Sequence, residues 1–213
     1  MKGEFKASIA PGRIGCSSAE GPTIAHLVRT HRDAANNRIV ADRTALAEDL
    51  ERARARFHRL LSSMSEDDWG KASRGTRWTN EQLLFHMVFG YMVVQRLLTL
   101  VRVFGRLPDR VGRGFARTLD TVTVPFHAIN YHGSCAAARY YHRGRMGAKM
   151  DRVIDALQRS LAHEHDSDFT RGMHYPTRWD PFFQDYMTLE DVYRYPGRHF
   201  DFHERQISAD IDG

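Results

Sequence analysis

Four stretches of this chain repeat apolar residues at steps of three and four. A chain patterned that way hides each stripe by packing helix on helix. Over residues 42–63 the stripe is Leu46, Leu50, Ala53, Phe57 and Leu60, continued by Met64, with Glu48, Glu51, Arg52, Arg56 and Arg59 on the other faces. The second stripe is Leu83, His86, Gly90, Val93, Leu97, Leu100 and Phe104. The third lies over 145–165 as Met146, Met150, Val153, Leu157 and Leu161, and the last is Leu189, Val192, His199, His203 and Ile207. Thr79 with Gln82, and Thr188 with Asp191, are capping boxes that start the second and fourth helices. Gly105 and Pro108 stop the second helix, and Pro196 predicts a kink in the fourth. The expected fold is all-α, a four-helix bundle with long crossover connections.

Between the stripes, turn formers dominate. Gly112, Gly114, Pro125 and Gly133 punctuate residues 106–142. This stretch reads as a long crossover with short helical pieces, such as 116–120 and 135–141. Residues 167–187 carry Phe169, Tyr175, Trp179, Phe182, Phe183 and Tyr186, so they read as an ordered loop whose rings need burial. Residues 1–40 are rich in Gly, Pro, Ser and Asn, and read as a tail that is partly disordered or wraps the bundle, with one short helix over 24–32. The bundle proper then covers 41–210. No strand alternation and no internal repeat stands out.

Apolar residues make up 42% of the 213 and charged residues 27%, enough for a real core. The +5 net charge is spread along the chain, with no zinc-finger spacing and no phosphate-cradling glycine loop, so no nucleic-acid partner is expected. The most apolar stretch, 83–103, is interrupted by His86, Gln95, Arg96 and Arg102, and reads as a buried helix rather than a membrane span. Cys16 and Cys135 are far apart and form no CxxC pair, which fits a reducing cytoplasm. No apolar segment follows Lys2 and Lys6, so no secretory signal is read.

Twelve histidines are present, and three are set apart by position. His199 and His203, four residues apart, stack on one helix face about 6 Å apart. His86 falls on the inward stripe of another helix. Three neutral imidazoles suit Zn²⁺, Ni²⁺ or Fe²⁺, and three protein ligands leave an open position, as catalytic sites do. On spacing alone, a hydrogen-bonded polar core stands level with a metal site. The His199-Phe200-Asp201-Phe202-His203 run lacks the glutamate after the first histidine that a metalloprotease helix needs. Neither cysteine has a paired base.

Arg77-Trp78-Thr79 leading to Leu84-Phe85-His86, then Trp179-Asp180-Pro181, then Met187-Thr188-Leu189, then His199 through Ile207 with its His-x-x-x-His-x-x-Gln run, together resemble the DinB/YfiT-like superfamily. The resemblance spans roughly 42–209. It implies a four-helix bundle with a metal-binding triad, which falls by position on His86, His199 and His203. It also implies a function class, thiol-dependent transferases or metal-dependent hydrolases. The expected partner is therefore a small-molecule substrate, with a low-molecular-weight thiol as cosubstrate; crossover residues His127, Asn130, Tyr131 and His132 either serve only loop packing and surface or supply polar contacts to the substrate. The alternative expectation is a non-catalytic, metal- or ligand-binding stress-response module, dimeric through the aromatics of 169–186. The absence of a visible acid, base or nucleophile beside the metal favours that alternative.

Overall fold

The computed structural model describes residues 24–209, with side chains described from Arg43 onward. Backbone packing divides the chain into Met1–Arg38 and Ile39–Gly213. In chain order the elements are α1 (Ile24–Ser63), α2 (Asn80–Phe104), α3 (Asp109–Thr121), α4 (Thr123–Ala162), β1 (Gly172–His174), β2 (Tyr186–Thr188) and α5 (Leu189–Glu204). A single 3₁₀ turn at Asp166–Asp168 follows α4.

The fold is all-α, as the stripes demand. α2 is the central element, packed against both α4 and α5. Its Leu83, Leu84, Met87 and Val88 are buried, and Leu46, Leu50 and Phe57 of α1 join the same core as Met146, Met150, Ile154 and Leu157 of α4. Each such side chain contributes roughly 1.5–3 kcal/mol when fully buried. α2 is also the one described helix long and apolar enough to cross a membrane; twelve of its residues are buried within the protein itself. Arg54 pairs with Asp155 across α1 and α4 at 2.5 Å, and Arg56 pairs with Asp201 across α1 and α5 at 2.6 Å. Such half-exposed pairs add little beside the apolar packing.

Both expected caps form as complete capping boxes, Thr79 with Gln82 and Thr188 with Asp191. Inside α5, Pro196 is accommodated without ending the helix. Three expectations change. First, α1 begins at Ile24, not near residue 42, because no Gly or Pro interrupts the chain between Pro22 and Gly70. The tail reading otherwise concerns residues 1–23, which lie outside the described residues. Second, 106–142 is no loop: α3 and the first segment of α4 are helical almost throughout, with a break at His142. Pro125 is harmless there because it lies in the first turn of α4, where its missing N–H would be unpaired anyway. Third, 172–188 contains a short antiparallel hairpin, with Gly172 opposite Thr188, Met173 opposite Met187 and His174 opposite Tyr186. Strands of three residues are too short to show alternation.

The aromatics of 167–187 go largely into the core. Phe169, Tyr175 and Phe183 are buried, whereas Tyr186 is exposed. Gly172 is needed for the hairpin: a Cβ there would lie 2.5 Å from the Met187 carbonyl oxygen and 2.7 Å from the Tyr186 ring. Gly172→Ala should therefore destabilise the protein by about 1–3 kcal/mol. Gly114, with open space around it in α3, provides the contrast, and Gly114→Ala should stabilise by up to about 1 kcal/mol. Urea denaturation of both variants checks this pair; a Gly172→Ala variant no less stable than the native chain would show that the space around Gly172 does not govern that position.

Candidate metal centre

The site is built where α2 crosses α5. The Thr79 box starts α2 so that His86, one turn and a half in, faces α5. The Thr188 box starts α5, which brings His199 and His203 to the same level. Imidazole centroids lie 4.9 Å apart for His86–His199, 4.9 Å for His86–His203 and 4.4 Å for His199–His203. One nitrogen from each ring can be chosen so that all three lie within 4.8 Å of one another. Gly90 makes the crossing close, since a Cβ there would stand 2.8 Å from His199 Nδ1.

All three rings are buried. Burial pushes the His86 pKa down to about 3, with the neighbouring His203 adding to the effect. Burial likewise holds His199 well below the usual imidazole value, helped by His86 and His203. His203 is lowered by burial too, partly offset by its hydrogen bond to Gln206. The triad is therefore neutral at physiological pH, which is the form that ligates metals.

The second nitrogen of each ring matters as much. His86 Nδ1 lies 3.3 Å from Ser134 Oγ of α4, and His203 Nδ1 lies 2.7 Å from Gln206 Oε1. Both contacts engage Nδ1 and leave Nε2 as the nitrogen free to ligate, the arrangement in which outer partners orient metal ligands. His199 differs. Its Nδ1 is buried without a partner among the described residues, and its Nε2 lies 3.8 Å from Asp180 Oδ2. Asp180 in turn accepts hydrogen bonds from Tyr195 Oη at 2.9 Å and from the Phe182 N–H at 2.8 Å. Burial raises its carboxyl above the usual range, and those hydrogen bonds resist the shift. Three buried neutral imidazoles, one with an orphaned nitrogen, fit a divalent cation.

The surroundings lock the rings. Trp78 stacks on His86 with centroids 4.3 Å apart. Its loop is fastened to the end of α5 by Arg74 N–H to the Gln206 carbonyl, 2.8 Å, and by Ser208 N–H to Asn80 Oδ1, 3.0 Å. A cleft of about 370 Å³ reaches His203, with Trp78, Asn130, Tyr131 and Phe202 among its walls.

The sequence profile of the DinB superfamily matches residues 49–207, about three quarters of the chain. The chain belongs to the DinB superfamily. No curated protein and no solved structure matches it significantly. The DinB region contains all three histidines together with Ser134, Asp180 and Gln206. Of the four crossover residues expected at the site, His127, Asn130 and Tyr131 line the cleft. His132 points to solvent instead. Ser134, Asp180 and Tyr195 were not anticipated as site residues. The only sequence signal for Asp180 was the Trp179-Asp180-Pro181 run already noted in the DinB resemblance. Cys135 is half-buried beside Ser134 and free.

In protein stripped of divalent ions, the triad sets an acid limit on stability. Imidazoles titrate near 6.5 in the unfolded chain, whereas in the fold His86 titrates only at about 3. The unfolded state therefore binds more protons between these values. Stability is fully present above about pH 6.5 and is lost toward pH 3, by about 1.4 kcal/mol per pH unit for each such histidine. Melting temperature should fall steadily from pH 7 to 4, and fall less steeply in His86→Gln. A flat profile in the native chain would contradict the burial argument.

Proposed function

We propose that His86, His199 and His203 hold one divalent ion, and that the protein is a metal-dependent enzyme acting on a small electrophile with a thiol or water as nucleophile. The observation carrying this reading is the set of three neutral, buried imidazoles, two of them with Nδ1 already engaged. Zn²⁺, Ni²⁺ or Fe²⁺ matches an all-imidazole donor set. Such an ion, when bound, lowers the pKa of a thiol or water at its open position.

The chain's own groups do the rest. Ser134 and Gln206 fix the orientation of two rings. Trp78 covers one face of His86 and keeps water off it. Asp180 is the one carboxylate within ion-pair reach of the triad among the described residues. Held by Tyr195, its Oδ2 is an acceptor for the proton that the nucleophile gives up. That supplies the base whose apparent absence favoured a purely binding role.

Metal analysis of purified protein should find one divalent ion per chain, absent from His199→Ala. In a screen pairing small thiols with electrophiles, His203→Ala should lose at least about 100-fold in turnover. Asp180→Asn should keep its metal and lose about 100-fold. Full activity after chelation excludes the enzyme reading; one ion per chain with no turnover of any pair would make the protein a metal-binding module.

A further inference from the structure

The cleft that reaches His203 has an uneven charge. Arg77 lines it, and no aspartate or glutamate does. Among the described residues no carboxylate pairs with the Arg77 guanidinium. Instead the guanidinium lies over the Tyr131 ring, 4.5 Å from its centroid. Stacking there restrains a side chain that is otherwise exposed, and it leaves the planar N–H fork free.

The other walls are flat and apolar. Tyr131 stacks on Trp78 with centroids 5.9 Å apart, and Phe202 also faces the cleft. Two polar atoms in these walls are buried without a partner among the described residues, Trp78 Nε1 and Asn130 Oδ1. Buried groups left unpaired in a folded protein call for an explanation, and a ligand with complementary polar atoms is one.

We propose that the cleft selects a flat, apolar substrate bearing a carboxylate, with Arg77 taking the carboxylate and Trp78, Tyr131 and Phe202 holding the body. A single planar fork matches a carboxylate through two parallel hydrogen bonds. A phosphate recruits more donors than one guanidinium, and no second arginine lines this cleft. The inference rests on reading the cleft as the substrate site of the proposed enzyme.

Benzoate and benzamide have the same shape and differ in charge, so calorimetric titration of both isolates the role of Arg77. The native protein, metal-loaded and chelated, should bind benzoate about tenfold tighter than benzamide in both forms, the equivalent of one charge-assisted hydrogen bond. Arg77→Gln should erase the preference, with the loss falling on benzoate rather than on benzamide. Arg77→Lys, a point charge without the fork, should retain part of it. Equal binding of the two probes, binding of neither, or a preference that survives in Arg77→Gln overturns the proposal. A preference seen only in the metal-loaded form also overturns it, because the carboxylate would then be held by the ion. An Arg77-dependent preference in a protein that shows no turnover would leave this inference standing while the enzyme reading fell.

Discussion

A methyl group on Gly90 would stand 2.8 Å from Nδ1 of His199, so α2 and α5 approach almost backbone to ring at the level of the triad. That approach brings His86 within reach of two histidines from another helix. It also seals the His199 ring away from water and forces it neutral. Placing three imidazoles inside an apolar bundle costs a few kcal/mol wherever their nitrogens lack partners. Leu83, Leu84, Phe85, Met87 and Val88, all essentially inaccessible, flank His86 on its own helix and offset that penalty. The polar centre is possible because the rest of α2 is so thoroughly buried.

Each histidine faces a different part of the chain. Ser134 comes from the first segment of α4, Gln206 from just beyond α5, and Asp180 from the loop between β1 and β2. The hairpin therefore has a role at the centre: it fixes both ends of the loop that carries Asp180. The loop before α2 is tied to the chain after α5 through Asn80, whose side chain bonds the Asp68 carbonyl at 2.8 Å and the Ser208 N–H. That tie lies two residues from Trp78, which stacks on His86. Displacing any of these segments would move a ring of the triad without changing a histidine.

The helices lining the core were legible because burial writes a period into the sequence. Leu46 to Leu60, Leu83 to Phe104 and Met146 to Leu161 sit on stripes, and Thr79 and Thr188 announce their helices with side chains that bond only locally. His86, His199 and His203 were legible for the same reason, since each replaces an apolar residue on a stripe. The crossover was misread because Gly112, Gly114, Pro125 and Gly133 speak for loops on local propensity alone, and tertiary packing overrides weak propensities. Ser134, Asp180 and Tyr195 were illegible as a group. Ser134 meets His86 across 48 positions in the chain, and nothing local distinguishes a serine that will face an imidazole from one that faces water. Gly90 looked like a small residue on a stripe, and only the crossing geometry shows what its missing side chain makes room for.

Asp180 bears most directly on the choice between an enzyme and a binding module. A largely buried carboxylate is costly, and here the cost appears as a carboxyl raised by burial. An apolar residue in its place would leave the buried Tyr195 hydroxyl and the Phe182 N–H without their acceptor. Those two hydrogen bonds hold a carboxylate whose Oδ2 lies 3.8 Å from His199 Nε2. A structural ion for three imidazoles alone requires no such group. Carboxyls perturbed by burial gather where a protein needs a proton acceptor, and that is a physical reason to look for turnover in this chain.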